Sequence, residues 1–447
     1  MTNVKRRALR GRVFTFLREP HGVGDAASYR YIEDGIILVK DGRIEALGPA
    51  DDLVARLPAQ AAVDHHGDAL ILPGFIDPHI HYPQTQVIAS YGAQLLEWLE
   101  KYTFVEEEKF ADPEHAAHIA EFFLDELARN GTTTACAYGS ANPSSTDALF
   151  AAAHRRGVGM IAGTAIMNRN GPPALLEAAR DCVAASRDLI RRWHGTGRQR
   201  YAVTPRFAIT STGEQLAATA RLLEEFPTVL MQTHLAENRD EIATVKRLFP
   251  DEANYTAVYA RFGLLGSRSL LGHCIHLDDA EIALLCDSKS VAVFCPTSNF
   301  FLGSGLFDYD GLNAAGVRIA LATDVGGGTS YSMLRTAAEA YKVMQLQGQK
   351  LPALAAFDLM TRGNAAALGL DNEIGTIAPG AFADLVVLDA RATQAMAHRM
   401  EVVRDLEDEL FVLMTLGDDR AVRQTYIAGQ PVLNTVRGRG AGAAATA

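Results

Sequence analysis

The 447-residue sequence predicts an α/β protein: a parallel (β/α)8 TIM barrel with a small β-sandwich domain built from both chain termini. Three observations carry that expectation. Through the middle of the chain, eight short apolar runs alternate with amphipathic helical segments. Both ends read instead as β-structure divided by turn residues. Histidines and carboxylates fall at the ends of several of the apolar runs, where barrel enzymes place their chemistry.

The elements follow in order. In "DGIILVKDGRIEALG", Asp41-Gly42 separates two apolar, β-branched runs, a strong hairpin signal. The eight barrel runs are 69–77, 132–138, 158–166, 201–204, 229–234, 270–273, 291–295 and 318–323. Among the connecting helices, "DPEHAAHIAEFFLDELARNG" has Asp112 as N-cap, Pro113 in the first turn and Gly131 past the end. Its Ile119, Phe122, Phe123 and Leu127 are expected on one face. Near the carboxyl end, "GTIAPGAFADLVVLD" and "RQTYIAGQPVL" read as further strands, and "GRGAGAAATA" as disordered. The division expected is residues 1–72 with 380–447 as a composite β-sandwich domain, and 73–379 as the barrel.

Composition narrows the class of function. The chain is 48% hydrophobic and 21% charged, ordinary for a soluble globular protein. A net charge of −11 disfavours nucleic acid as a partner and tolerates a neutral small substrate. The five cysteines are odd in number and scattered, which reads as reduced thiols. The basic start "MTNVKRRALRGRVF" lacks the apolar stretch of a signal peptide, and no run of about 18 apolar residues could span a membrane. A cytoplasmic location is expected.

The apolar run in "ILPGFIDPHIHYPQ" stops at a carboxylate and two histidines, His79 and His81. Run five ends in His234 with Glu237 three residues on, run six in His273, and run eight in Asp324. An isolated His-x-His is a weak signal. Asp324 alone could cap a loop, and Glu237 could be a first-turn helix acid. Together at one barrel rim, however, imidazoles and a carboxylate are the donors a borderline divalent ion takes, zinc first and iron second. His65, His66, His115, His118 and His276 are not expected as ligands, and Cys295 reads as packing. The glycines of "GGGTS" at 326–330 lack the lysine of a phosphate loop. Glu106-Glu107-Glu108 reads as a solvated face.

Those motifs resemble the amidohydrolase superfamily over nearly the whole chain. Within it, "HYPQ", "LLEWLEKYTFVEE", "VTPRF", "THLAENRDE", "CPTSN" and "TSYSML" resemble the guanine deaminase family. Val105 stands where that family generally has proline, a loop change away from the chemistry. The resemblance implies one Zn2+ per subunit, with Fe2+ as the alternative, held by His79, His81, His234 and Asp324. It implies Glu237, His273 and Asp324 as catalytic residues. The implied substrate pocket is His81, Tyr82, Pro83, Gln84, Arg206, Phe207, His234, Glu237 and Asp324. It further implies guanine as substrate and a homodimer. The donors of Arg206 suit the O6 and N7 acceptors of a purine, and Gln84 can complement an amide edge. Phe207 and Trp98 offer apolar walls. A salt bridge beneath the rim is the structural alternative for Arg206, and loop packing for Trp98. Rival readings are a deaminase of a pterin, a triazine or an oxidised guanine, and a non-catalytic barrel scaffold. A two-metal ureido-ring hydrolase would need a bridging lysine, which "VTPRF" does not supply.

Overall fold

The structure, a computed structural model, describes residues 6–57, 62–92 and 94–433. The stretch "GRGAGAAATA" lies outside the described residues. One mixed sheet of seven strands draws on both ends of the chain. Its members are β1 (Arg6–Phe16), β2 (Tyr29–Lys40), β3 (Arg43–Pro49), β4 (Ala62–Pro73) and three late strands that complete it. Asp41 and Gly42 both adopt left-handed backbone, at φ +51° and +83°, in the two-residue turn that pairs Lys40 with Arg43. That conformation matches the twist of the strands it joins and is why Gly follows Asp there.

The chain then leaves this sheet at Gly74 and enters the barrel. Its strands are β5 (Phe75–His81), β6 (Thr132–Tyr138), β7 (Gly159–Gly163) with its short continuation β8 (Ala165–Ile166), β9 (Gln199–Pro205), β10 (Leu230–Leu235), β11 (Ser269–His273), β12 (Val291–Phe294) and β13 (Arg318–Leu321). Neighbours pair in parallel from β5 round to β13. Helices between the strands cover the outside, giving eight strand positions in all.

The remaining strands, β14 (Leu385–Leu388), β15 (Val422–Ile427) and β16 (Gln430–Pro431), return to the terminal sheet. Its order is β16-β15-β14-β4-β1-β2-β3. The sheet curls until its ends meet: the Ile44 amide donates to the Ala381 carbonyl at 2.9 Å, and the Gly429 amide to Ala383 at 2.8 Å. Leu9, Val13, Ile37, Ile71, Leu385 and Val387 fill the space enclosed.

Two sequence expectations need correction. The first barrel strand is not 69–77: residues up to Pro73 belong to β4, and β5 runs Phe75–His81. The apolar run is continuous because both strands are buried, so hydrophobicity alone could not divide it. Phe122 is also off the apolar face, at 45% exposure, while Ile119, Phe123 and Leu127 are buried. In the same helix, Pro113–Arg129, the Asp112 carboxylate accepts from the Glu114 amide as expected of an N-cap.

No ladder joins β13 to β5, yet the seam is fastened. The Asp324 amide donates to His79 carbonyl at 2.9 Å, and the His81 amide to Val325 carbonyl at 2.7 Å. The Asn364 side chain donates to both Ile76 and Leu321 carbonyls at 2.8 Å. Buried Asp77 accepts from the Thr323 amide at 3.2 Å and from its hydroxyl. Strand ends bearing His79, His81 and Asp324 are thereby set against one another. Below them the barrel interior is packed with Ile76, Ile161, Leu230, Leu270, Val291 and Val293, a solid floor rather than a pore. All five cysteines are free thiols. Among the described residues, no helix is long and apolar enough to cross a membrane.

Candidate active site

Side chains two apart on a strand share a face, so Asp77, His79 and His81 all turn toward the barrel axis from β5. The pairing of β5 with β6 slips between Asp77 and Ile80, around Pro78. His234 comes from β10, His273 from the end of β11, and Asp324 follows β13. His273 and Asp324 hold left-handed backbone, φ +75° and +52°. Such conformations cost a non-glycine residue about 1–3 kcal/mol and concentrate at functional sites.

Asp324 Oδ1 lies 3.2 Å from His79 Nε2 and 3.1 Å from His81 Nε2. His81 Nε2 is 3.3 Å from His234 Nε2. His273 Nε2 stands 3.3 Å from Glu237 Oε2 and 3.7 Å from Asp324 Oδ2. Ligand atoms of His79, His234, His273 and Asp324 all fall within 4.8 Å of one another. Thus the six sequence-predicted groups converge.

Neither ring nitrogen of His79 has a hydrogen-bond partner, although the side chain is wholly buried. An orphaned buried imidazole facing a carboxylate and other imidazoles fits an ion. The ring is also given room: a Cβ at Gly272 would sit 2.5 Å from His79 Cε1. Outer partners fix the tautomers. His234 Nδ1–H donates to the Arg206 carbonyl at 2.6 Å, and His273 Nδ1–H to Asn299 Oδ1 at 2.9 Å, leaving each Nε2 lone pair aimed inward. Burial pushes His81 down to about 4 and His234 well below the usual imidazole range, so both are neutral donors at pH 7. Burial would raise the Asp324 carboxyl, but His79, His81 and His273 outweigh it and hold the group well below the carboxylate range. Glu237 behaves oppositely: burial, then the Asp324 charge, pushes it up to about 8, with only the Ser304 hydroxyl, at 2.9 Å, opposing.

Of these groups, His81, His234, Glu237, His273 and Asp324 floor a cavity of about 400 Å³ also lined by Gln84, Trp98, Arg206 and Phe207, with His79 buried behind them. Trp98 both lines it and packs, its Nε1–H donating to the Ser90 carbonyl at 3.1 Å. Tyr82 and Pro83 are elsewhere than the pocket role expected of them. The short turn Tyr82–Gln84 sends Gln84 inward and Tyr82 outward, where its hydroxyl donates to the Ala116 carbonyl and its ring meets Phe110 and Phe123.

Within the acidic triplet Glu108 is exposed and Glu106 half-buried, but Glu107 is not on a solvated face. Glu107 is 1% exposed, and both its oxygens accept from Arg206 Nη1, at 2.9 and 2.6 Å. Gln84 Nε2 donates to the same carboxylate at 3.2 Å. The signal lay in spacing: Phe104, Glu107 and Phe110 are three apart, one buried face of a helical segment. Sequence reasoning also gave no role to Ser304, a polar loop residue, or to Asn299, which it met only as the end of "CPTSN" and which sits in the short helix Pro296–Phe301.

The amidohydrolase family model matches residues 70–432. The chain belongs to the amidohydrolase family. As a member it is a metal-dependent hydrolase, and the cluster of His79, His234, His273 and Asp324, with His81 against it, is where an ion fits. The chain is 47% identical to guanine deaminase of Escherichia coli (strain K12) over 407 residues, 91% of this chain and 93% of that one. The solved E. coli guanine deaminase superposes with TM-score 0.93 at 46% identity, covering 95% of this amidohydrolase and 99% of the other chain. Guanine deaminase from C. acetobutylicum, solved with bound guanine in its active site, superposes with TM-score 0.84 at 27% identity, over 96% and 100% of the two chains.

Proposed function

We infer that this amidohydrolase hydrolyses guanine to xanthine and ammonia with one zinc ion per subunit. The observation that carries the reading is the meeting of His81, His234, His273, Glu237 and Asp324, backed by buried His79, at the floor of a cavity walled by Arg206, Gln84 and Phe207. The similarity to enzymes named guanine deaminases supports guanine as the substrate.

His79, His81, His234 and Asp324 would hold the ion. When bound, it supplies a water acidic enough to react at neutral pH. Asp324, the ionised carboxylate, takes the proton from the attacking water as general base. Oxygen adds to C2 of guanine while charge builds on N3. Glu237, protonated at neutral pH, gives its proton to N3, then passes a second, received from the adding oxygen, to the leaving amine, and the proton held by Asp324 returns to Glu237 to restore both carboxyls. The C2–N bond breaks, ammonia departs and the oxygen stays as the 2-oxo group of xanthine. His273 Nε2, 3.3 Å from Glu237 and 3.7 Å from Asp324, accepts a hydrogen bond from the hydroxyl being added and so orients it toward the ring. Donors of Arg206 read O6 and N7, Gln84 complements the amide edge, and Phe207 walls the ring.

Ultraviolet conversion of guanine to xanthine by metal-assayed protein tests this. Activity should follow zinc content, vanish with a chelator and return with zinc. A panel including a pterin, a triazine and an oxidised guanine, scored by ammonia, should show guanine preferred; preference for another ring, or none turned over, would overturn the reading. The homodimer we propose on the resemblance is tested by light scattering, where a monomer mass would reject it.

A further inference from the structure

We propose that Glu107 is the specificity-determining positioning residue of the cavity, holding Arg206 and Gln84 so that a neutral, oxo-bearing ring is taken and an anion is not. The proposal rests on the guanine reading above. Glu107 does not line the cavity, whereas both groups it grips do.

Its carboxylate uses both oxygens on a single nitrogen of Arg206, Nη1. Among the described residues, Nε and Nη2 of that guanidinium meet no protein acceptor. Two donors of a planar fork are therefore kept for a ligand. Phe104, one turn earlier on the covering segment, lies 5.2 Å from the guanidinium carbon and fixes its plane. The same Glu107 oxygen that binds Arg206 accepts from Gln84 Nε2, and Gln84 Oε1 in turn accepts from the Gly326 amide at 3.4 Å. That sets which end of the Gln84 amide is donor and which acceptor.

Charge gives the second half of the inference. Arg206 is 4% exposed. A guanidinium buried alone would attract anions strongly and would itself be costly to bury. With Glu107 beside it, the pair is neutral overall while its outer donors remain directional. The arrangement suits uncharged guanine and disfavours retention of the more acidic xanthine.

The test uses direct calorimetric binding of hypoxanthine, which has the 6-oxo group but no 2-amine, and of purine, which has neither. Each is titrated into zinc-loaded wild type, Glu107→Gln and Glu107→Asp. In Glu107→Gln, affinity for hypoxanthine should fall about tenfold or more, the worth of one charge-assisted hydrogen bond, while purine loses less than about threefold. KM for guanine should rise by a larger factor than kcat falls, with zinc content unchanged, and xanthine should bind more tightly relative to hypoxanthine at alkaline pH. Glu107→Asp, which keeps the charge on a shorter reach, should lie between, and it decides the matter if Glu107→Gln does not fold. Equal losses for hypoxanthine and purine, or no loss for either, would overturn the proposal. Wild type that releases no ammonia from guanine would instead defeat the functional reading, without touching these binding ratios.

Discussion

Replacing Glu237 by glutamine separates chemistry from architecture. The carboxyl is 3% exposed and pushed up to about 8, so at pH 7 the resident form is the neutral acid. An amide has nearly the same shape and charge as that form. Its oxygen can still accept from the Ser304 hydroxyl, and its nitrogen can still donate toward His273 Nε2, 3.3 Å from the present Oε2. Folding and metal binding should therefore survive, with stability within about 1 kcal/mol of wild type. What an amide cannot do is release a proton to N3 and collect another for the leaving amine. General acid–base catalysis contributes roughly 10²–10⁴ in rate, so kcat should fall by about that range, or about 3–5 kcal/mol in the barrier. The decay of guanine absorbance gives kcat, thermal melting gives stability, and elemental analysis gives zinc per chain. Turnover within a few-fold of wild type in a zinc-replete variant would refute the proton-carrying role. Loss of zinc would place Glu237 in the metal site instead.

Three further outcomes are expected. Gly272→Ala should shed metal, because the new Cβ would stand 2.5 Å from His79 Cε1 and displace the ring; full zinc occupancy at wild-type kcat would show that the ring can give way. Arg206→Ala should raise KM for guanine by about tenfold or more with zinc retained, and an unchanged KM would return Arg206 to the role of a buried counter-charge to Glu107. Glu241 is buried and pushed up to about 7, by burial and then by Glu237, from 4.5. A carboxyl raised in the folded state contributes stability that is present below about pH 4.5 and lost as pH climbs through about 7. Thermal melts of Glu241→Gln should thus gain on wild type between pH 5 and pH 8, by at most about 3 kcal/mol; a constant difference would reject the shift.

What the sequence disclosed, and what it hid, follows from the kind of force involved. Strand positions were legible because buried parallel strands are near-continuous apolar runs, and the donors at their ends because polar residues interrupt those runs. The same uniformity concealed the break at Gly74, where one buried strand gives way to another in a different sheet. Glu107 was hidden for a different reason. Its burial depends on Arg206, 99 residues away, and a charge that is exposed by default becomes a core residue only when its partner arrives through the fold. Tyr82 shows the limit of motif transfer: lying between His81 and Gln84 does not bring it into the cavity, because its hydroxyl is tied to the Ala116 carbonyl and its ring packs on Phe110 and Phe123.

The cavity divides its labour along the chain. The donors for the ion sit at strand ends or, for Asp324, just past one, and the seam between β5 and β13 is held by Asp77 and Asn364, so those positions are rigid. The groups that shape the other wall, Trp98 and Leu99 by contact and Glu107 through Arg206, come from one helical segment, residues 95–111, that covers the rim. A substitution in the floor changes the field on the reacting atoms and so appears in kcat and in metal content. One in the cover changes how the ring is read, and appears in KM and in the ranking of substrates. Because Arg206 directly follows β9 yet is anchored by the cover, it is the place where the two effects mix. A double-mutant cycle between Arg206→Ala and Glu107→Gln should accordingly be strongly non-additive in KM, whereas Glu107→Gln combined with Glu237→Gln should be close to additive in kcat. Additivity in the first pair would mean that floor and cover read the ring independently, and the joint would have to lie elsewhere.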